Sequence, residues 1–183
     1  MQADEQNPWK KVSEREVYTN PWISVHHHDV ITPSGTDGIY GLVHFKNKAI
    51  GIIPIDENGY TWLIGQYRYT LDEYSWEIPM GGSPLDQTPL EGAKRELKEE
   101  TGMTAAKWTK VMRIHTSNSV TDEEGFVYLA EELTAGETEW DDTEQLKVWH
   151  LPLSEALQLC DDGQITDSIS VAGLYRVARL KNQ

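Results

Sequence analysis

The sequence predicts an α+β fold in which short strands fill the first half and helices come late. Three observations carry this. Residues 11–45 read as brief β-like clusters broken by turn residues. Apolar spacing of helical period is absent until Pro89. The final thirty residues return to helical spacing after a further run of strands.

In chain order, Val12, Val17-Tyr18, Trp22 to Val25 and Val30-Ile31 predict two or three strands, closed by the turn-rich Pro33 to Gly38. Ala49 to Asp56 and Tyr60 to Tyr69 predict a hairpin across Asn58-Gly59, a pair suited to positive φ. Leu90, Ala93 and Leu97 mark a helix after Pro89, and Gly102 is placed to end it as a left-handed cap. Strands follow at Trp108–Ile114, Phe126–Leu129 and Leu146–Leu151. Two helices close the chain, Ser154–Cys160 with Ser154 as N-cap and Ser168–Leu180.

With 183 residues, the chain suits one domain, or one domain and a short appendage, burying roughly 70% of its unfolded surface. Thirty acids against sixteen Lys and Arg give a net charge of −14, which repels polyanions and argues against nucleic-acid binding and polybasic membrane docking. Seven Trp and eight Tyr supply aromatic mass for a packed core, which excludes a disordered acidic tail. Cys160 is a lone cysteine, so neither an intrachain disulfide nor a cysteine zinc site is expected. The polar start shows no secretion signal and no stretch is long and apolar enough for a membrane span, so a soluble cytoplasmic protein is expected. His26-His27-His28 reads as a polar strand surface, because successive side chains of a strand alternate faces and three neighbours cannot converge on one ion.

The chemistry lies in Gly81 to Met103, a glycine loop running into a helix dense with carboxylates. Glu96, Glu99 and Glu100 fall on one arc beside the apolar stripe. Like charges at this spacing cost a bare helix about 0.2–0.5 kcal/mol per pair, a cost that bound cations reverse. Hard divalent cations suit oxygen ligands, and magnesium bound together with substrate phosphates suits them best. On helix geometry alone, a solvated acidic face paired with Lys94, Arg95 and Lys98 is the stronger reading.

That segment resembles the Nudix box, Gly-x5-Glu-x7-Arg-Glu-U-x-Glu-Glu-x-Gly-U with U a bulky aliphatic. Gly81, Arg95, Glu96, Leu97, Glu99, Glu100, Gly102 and Met103 fit, and Gln87 stands where the family has Glu. Fixed spacing over this length displaces the solvated-face reading. The resemblance implies a Nudix α/β/α sandwich with a mixed sheet over residues 47–183, and an N-terminal antiparallel β subdomain over 1–46. It implies hydrolysis of a nucleoside diphosphate linked to another moiety, with Glu96 and Glu100 as principal metal ligands, Glu99 assisting, and Mg2+ as the cation, replaceable by Mn2+. Gly81 and Gly102 carry structural roles on this resemblance, and Arg95 orients the glutamates by salt bridging. Gln87 keeps a carbonyl but loses the charge, which weakens any supporting pairing there without removing an essential ligand.

Gln66-Tyr67-Arg68 and Trp76-Glu77-Ile78-Pro79-Met80-Gly81-Gly82 are similar to the ADP-ribose pyrophosphatase and nucleoside diphosphate sugar hydrolase branch. By that similarity Arg68 contacts the diphosphate or terminal sugar, Glu77 lies near the metals, and the Met80 carbonyl is an extra metal ligand. The plainer reading of Arg68 is a surface pair with Asp72 or Glu73. In the loop Ser117 to Glu124, Glu123 aligns with a substrate-facing carboxylate. Trp22 is the candidate to stack on the nucleobase, since the branch swaps its N-terminal strands across a two-fold homodimer; plain dimer-core packing is the other reading. The same similarity implies a general base in the acidic stretch Gly136 to Gln145, with Glu144 first, Asp142 next and Glu139 third; a merely solvated acidic loop is the other reading, and Glu123 is then the next suspect. The implied substrate is ADP-ribose or a related nucleoside diphosphate sugar, with GDP-mannose or broad NDP-sugar hydrolysis as the alternative. A non-catalytic nucleotide-metabolite-binding regulatory module is the reading from another class, resting on Gln87 alone.

Overall fold

The computed structural model describes residues 6–136 and 146–182. The chain divides into two compact units: one takes the chain up to Lys46 together with Ser117–Glu123, the other Asn47–Thr116 and the chain from Glu124 onward.

In the first unit, β1 (Lys10–Thr19), β2 (Ile23–Ile31) and β3 (Asp37–Phe45) form an antiparallel sheet in sequence order. The turn between β2 and β3 closes through the Thr32 N–H donating to the Thr36 carbonyl at 2.9 Å, with Gly35 at φ 84°. Ser117–Glu123 joins this unit through backbone bonds of Val43 to Val120 at 2.9 Å and of Asp122 to Val43 at 3.2 Å. Strand β1 is exposed along its whole length. Val12, Val17, Tyr18, Trp22 and Ile39 each leave more than half of their surface open.

The second unit begins with β4 (Asn47–Pro54), β5 (Tyr60–Arg68), β6 (Glu73–Glu77), β7 (Met80–Pro84) and α1 (Pro89–Thr101). It continues with β8 (Thr104–His115), β9 (Glu124–Thr134), β10 (Lys147–Pro152), α2 (Leu153–Asp161) and α3 (Ser168–Lys181). A four-stranded sheet runs β7-β4-β9-β8, and a three-stranded sheet runs β10-β5-β6. The β4–β9 pair is parallel and its neighbours are antiparallel, so the larger sheet is mixed. It is covered on both faces, which is why β4 is a nearly continuous apolar run. Ile50, Ile52, Phe126, Tyr128 and Ala130 pack with Ala93 and Leu97 of α1. Ile53, Val127 and Leu129 pack with Leu153 and Ala156 of α2 and Leu174 and Val177 of α3. This is the expected α/β/α sandwich.

Two local expectations are corrected. The Asn58-Gly59 turn forms, with Gly59 at φ 81° and its N–H on the Asp56 carbonyl at 3.1 Å, yet β4 and β5 do not pair as a hairpin. Both edges of β4 are taken, by β7 and by β9, so β5 crosses to the other sheet and pairs with β6 and β10. Helix α2 starts one residue earlier than expected, with Pro152 at the cap and no side-chain bond there, so Ser154 lies inside the helix. Proline's fixed φ and missing N–H suit that boundary without a hydroxyl cap.

Helix α1 is fixed at both ends. Thr88 accepts from the Glu91 N–H while the Glu91 carboxylate accepts from the Thr88 N–H at 2.9 Å, a reciprocal capping box, and Pro89 opens the first turn. Gly102 ends the helix at φ 71°, its N–H on the Lys98 carbonyl at 2.8 Å, as its sequence position implied. Gly92 lets the helix sit close to β7, since a Cβ there would come within 2.6 Å of the Ser83 Cβ. Among the described residues, no helix is long and apolar enough to cross a membrane.

Candidate active site

Strand β7 and helix α1 bring the box residues together. Glu96 and Glu100, one turn apart, are 8% and 4% exposed, while Glu99 is half-buried. They lie deeper than the core edge that helix geometry implied, because β7 lies over that side of the helix and covers them. Gly81 makes this closeness workable: a Cβ at that position would fall on the Glu96 carboxylate. Glu100 is tied to the same strand, its Oε2 accepting the Met80 N–H at 2.9 Å.

Arg95 spans the cluster with one guanidinium. It donates to Glu99 Oε2 at 2.6 Å, to Glu96 Oε1 at 2.6 Å and to the Gly82 carbonyl at 2.7 Å. A planar fork of five donors meets two carboxylates and a carbonyl at once, a task a lysine point charge does not perform. It offsets the like-charge repulsion of the glutamates and locks the helix to β7.

Arg68 and Glu77, expected separately near the substrate and near the metals, pair with each other. Arg68 Nε donates to Glu77 Oε1 at 2.9 Å, and Nη2 contacts Oε2. The alternative surface pairing with Asp72 or Glu73 is not formed: Asp72 accepts the Tyr67 hydroxyl at 2.6 Å instead. The hydrogen bond that Arg68 donates to Glu77 raises the guanidinium above its ordinary range against the opposing effect of burial, and the fields of Glu77, Asp167 and Glu100 add to it. The pair thus belongs electrostatically to the glutamate cluster.

Two residues that sequence reasoning missed anchor the segment between them. Ser170 Oγ accepts the Ile78 N–H at 3.0 Å, and Asp167 caps α3 by accepting the Ser170 N–H at 2.7 Å. The Asp-Ser-x-Ser start of α3 is a legible cap, but nothing in it announces a partner ninety residues upstream. Gln87 sits in the exposed turn before Thr88, its N–H on the Pro84 carbonyl at 3.1 Å. Trp22 and Glu123 belong to the first unit, Trp22 largely exposed and Glu123 half-buried. Glu139, Asp142 and Glu144 lie outside the described residues.

Buried carboxylates one helical turn apart, pinned by an arginine under a glycine strand, form a hard, oxygen-only donor set that fits divalent cations of the magnesium kind. The sandwich and this set define a class, an α/β/α fold that presents pinned, buried acids suited to a divalent cation. Residues 45–169 match the NUDIX domain, and residues 9–43 match the nucleoside diphosphate sugar hydrolase N-terminal domain. The chain belongs to the Nudix family, as a hydrolase of the ADP-ribose pyrophosphatase branch. It is 31% identical to an ADP-ribose pyrophosphatase of Bacillus subtilis (strain 168), over 87% of this chain and 86% of that protein. It is 29% identical to an ADP-ribose pyrophosphatase of Mycobacterium tuberculosis, over 94% and 84%. The crystal structure of an ADP compounds hydrolase superposes with a TM-score of 0.87 at 22% identity, covering 98% of this chain and 97% of that one, which shows the shared fold.

Proposed function

We propose that this chain is a cytoplasmic enzyme that hydrolyses ADP-ribose, or a related nucleoside diphosphate sugar, to a nucleoside monophosphate and a sugar phosphate, with Mg2+ as its cation and Mn2+ as the substitute. The observation that carries the proposal is the pinned glutamate set: Arg95 on Glu96 and Glu99, and Glu100 on the Met80 N–H. A divalent cation held by Glu96 and Glu100, with Glu99 and the Met80 carbonyl assisting, would neutralise charge developing on the diphosphate and acidify a water.

The protein's own groups do the rest. Hydrolysis joins a water oxygen to one phosphorus, releases the bridging oxygen with the other phosphate, and hands the water proton to a base. Glu144 is proposed as that base, then Asp142, then Glu139. Arg68, charged and braced by Glu77, is proposed to hold the diphosphate through its remaining donors. Glu123 and Trp22 are proposed as substrate contacts, Trp22 by stacking on the base.

The test is a panel of ADP-ribose, GDP-mannose, UDP-glucose and dinucleoside polyphosphates, with and without magnesium, read by product identity and run on wild type and on Gln or Asn replacements at Glu139, Asp142 and Glu144. Magnesium-dependent release of AMP and ribose 5-phosphate is expected, with kcat but not KM falling in at least one replacement. Preferential cleavage of GDP-mannose would reassign the substrate. Inactivity on every compound, relieved by Gln87→Glu, would favour the regulatory module.

A homodimer is the proposed assembly. A three-stranded sheet with one strand exposed throughout and five large apolar side chains open to solvent is poorly stable uncovered, and a second copy would cover it. Light scattering should return about twice the chain mass of 20.8 kDa; a value near 20.8 kDa at working concentration refutes the dimer.

A further inference from the structure

Strand alternation separates His27 from its neighbours, as expected, and His27 stands 3.4 Å from Asp29 on its own side of the sheet. It also places His26 and His28 together on the opposite side, where adjacent strands add what one strand cannot. Across the β1–β2 ladder Glu14 faces His28 and Glu16 faces His26, and across the β2–β3 ladder His44 faces Ser24. The result is a convergence that reading a single strand could not show: His26 and His28 are half-buried side by side against Glu14.

Glu14 Oε1 lies 2.8 Å from His26 Nδ1 and 3.6 Å from His28 Nε2, and the His26 and His44 rings stand 4.7 Å apart edge to face. One ligand atom from each of Glu14, His26 and His44 falls within 4.8 Å of the other two. Both His26 Nδ1 and His28 Nε2 are buried and lack a hydrogen-bond partner among the described residues, although Glu14 Oε1 lies within ion-pair distance of each. His26 uses its other nitrogen on the Ser24 hydroxyl at 3.2 Å. Two buried imidazole nitrogens left unsatisfied around a carboxylate are costly unless something between them accepts their lone pairs.

His44 is braced as a ligand would be. Its Nδ1 bonds Asp122 Oδ2, while Asp122 Oδ1 accepts the Phe45 N–H at 2.9 Å. A carboxylate fixing one ring nitrogen sets the tautomer and leaves the other as donor to a metal. Nitrogen-rich sites with one carboxylate favour zinc and its first-row neighbours over magnesium, which sets this cluster apart from the all-oxygen glutamate set on α1. The protein's charge of −14 adds a general attraction for cations.

We propose that Glu14, His26 and His44, with His28 beside them, bind a first-row divalent transition metal, zinc foremost, clipping β1, β2 and β3 together. Such a clip would supply stability that a small sheet with a fully exposed β1 lacks in its own packing.

The experiment uses the full chain, freed of metal by chelation and kept in saturating magnesium, titrated with Zn2+ by calorimetry and with Co2+ by visible absorption. Glu96→Gln/Glu100→Gln removes the helix carboxylates as competitors, and His26→Asn/His44→Asn removes the proposed site. One zinc per chain, retained in the glutamate variant and at least tenfold weaker in the histidine variant, is the expected result. His44→Gln alone should weaken binding by a smaller factor, and near-ultraviolet circular dichroism of the tryptophans checks that each variant is folded. Zinc binding unchanged in the folded histidine variant, or absent from the glutamate variant, overturns the proposal.

Discussion

Glu100→Gln is expected to lower turnover by roughly 10³-fold while leaving the protein folded, taking about 4 kcal/mol as the lost stabilisation of charge on the diphosphate. The replacement is nearly isosteric. Its carbonyl can still accept the Met80 N–H that Glu100 accepts at 2.9 Å, so the link between α1 and β7 survives. What disappears is one buried negative charge from a set whose other members, buried Glu96 and half-buried Glu99, are held by Arg95. Steady-state kinetics over a magnesium titration, with a thermal melt beside it, makes the check: turnover near wild type would remove Glu100 from the cation site. The same change at Glu96 should match it in kinetics, with some loss of stability, because the Arg95 fork then meets a neutral partner.

Arg68→Met is expected to cost about 2–3 kcal/mol of stability, a fall in Tm of roughly 4–12 °C for a chain of this size, together with loss of activity. Glu77 is only 3% exposed, and removing its partner strands a carboxylate in the core. The range is set below that of a fully buried pair because the Arg68 side chain is about one-third exposed. The double variant Arg68→Met/Glu77→Leu separates the two roles proposed for Arg68. Replacing both charges by apolar groups should restore most of the stability, whereas the diphosphate contact stays lost. A single variant that melts with wild type would show that the pair contributes nothing to the fold; a double variant with full activity would show that Arg68 does not hold substrate.

What could be read before the structure was what depends on short, fixed spacing. The box ran from Gly81 to Met103 in register, and Gly102 had one conformation to adopt. The Asn58-Gly59 turn was equally local and formed; the identity of its partner strands was not local, because β4 is satisfied by β7 and by a strand far downstream. Arg68 shows the same limit at the level of a side chain. Asp72 and Glu73 are nearer in sequence, and Glu73 faces Arg68 across the ladder, yet the arginine reaches back to the buried Glu77. Burial decides that choice, and burial depends on how the sheets pack. The histidine cluster was hidden for a related reason: alternation along one strand is visible in sequence, but the register that brings Glu14 and His44 beside His26 is not.

The parallel pairing of β4 with β9, which sets Ala49 opposite Gly125 and Pro54 opposite Ala130, also governs how the chain acquires its shape. The strand at the centre of the larger sheet is made early in synthesis, and its parallel neighbour emerges only after helix α1 and strand β8 have been completed. Closing so long a loop spends chain entropy before any ladder bond repays it, and such topologies fold slowly. The β1–β2–β3 ladders, by contrast, join neighbours in sequence and can form while the ribosome is still extending the chain. During that interval the apolar β4 has β7 as its first ladder partner, and the well-capped α1, once formed, covers one of its two faces until β9 arrives.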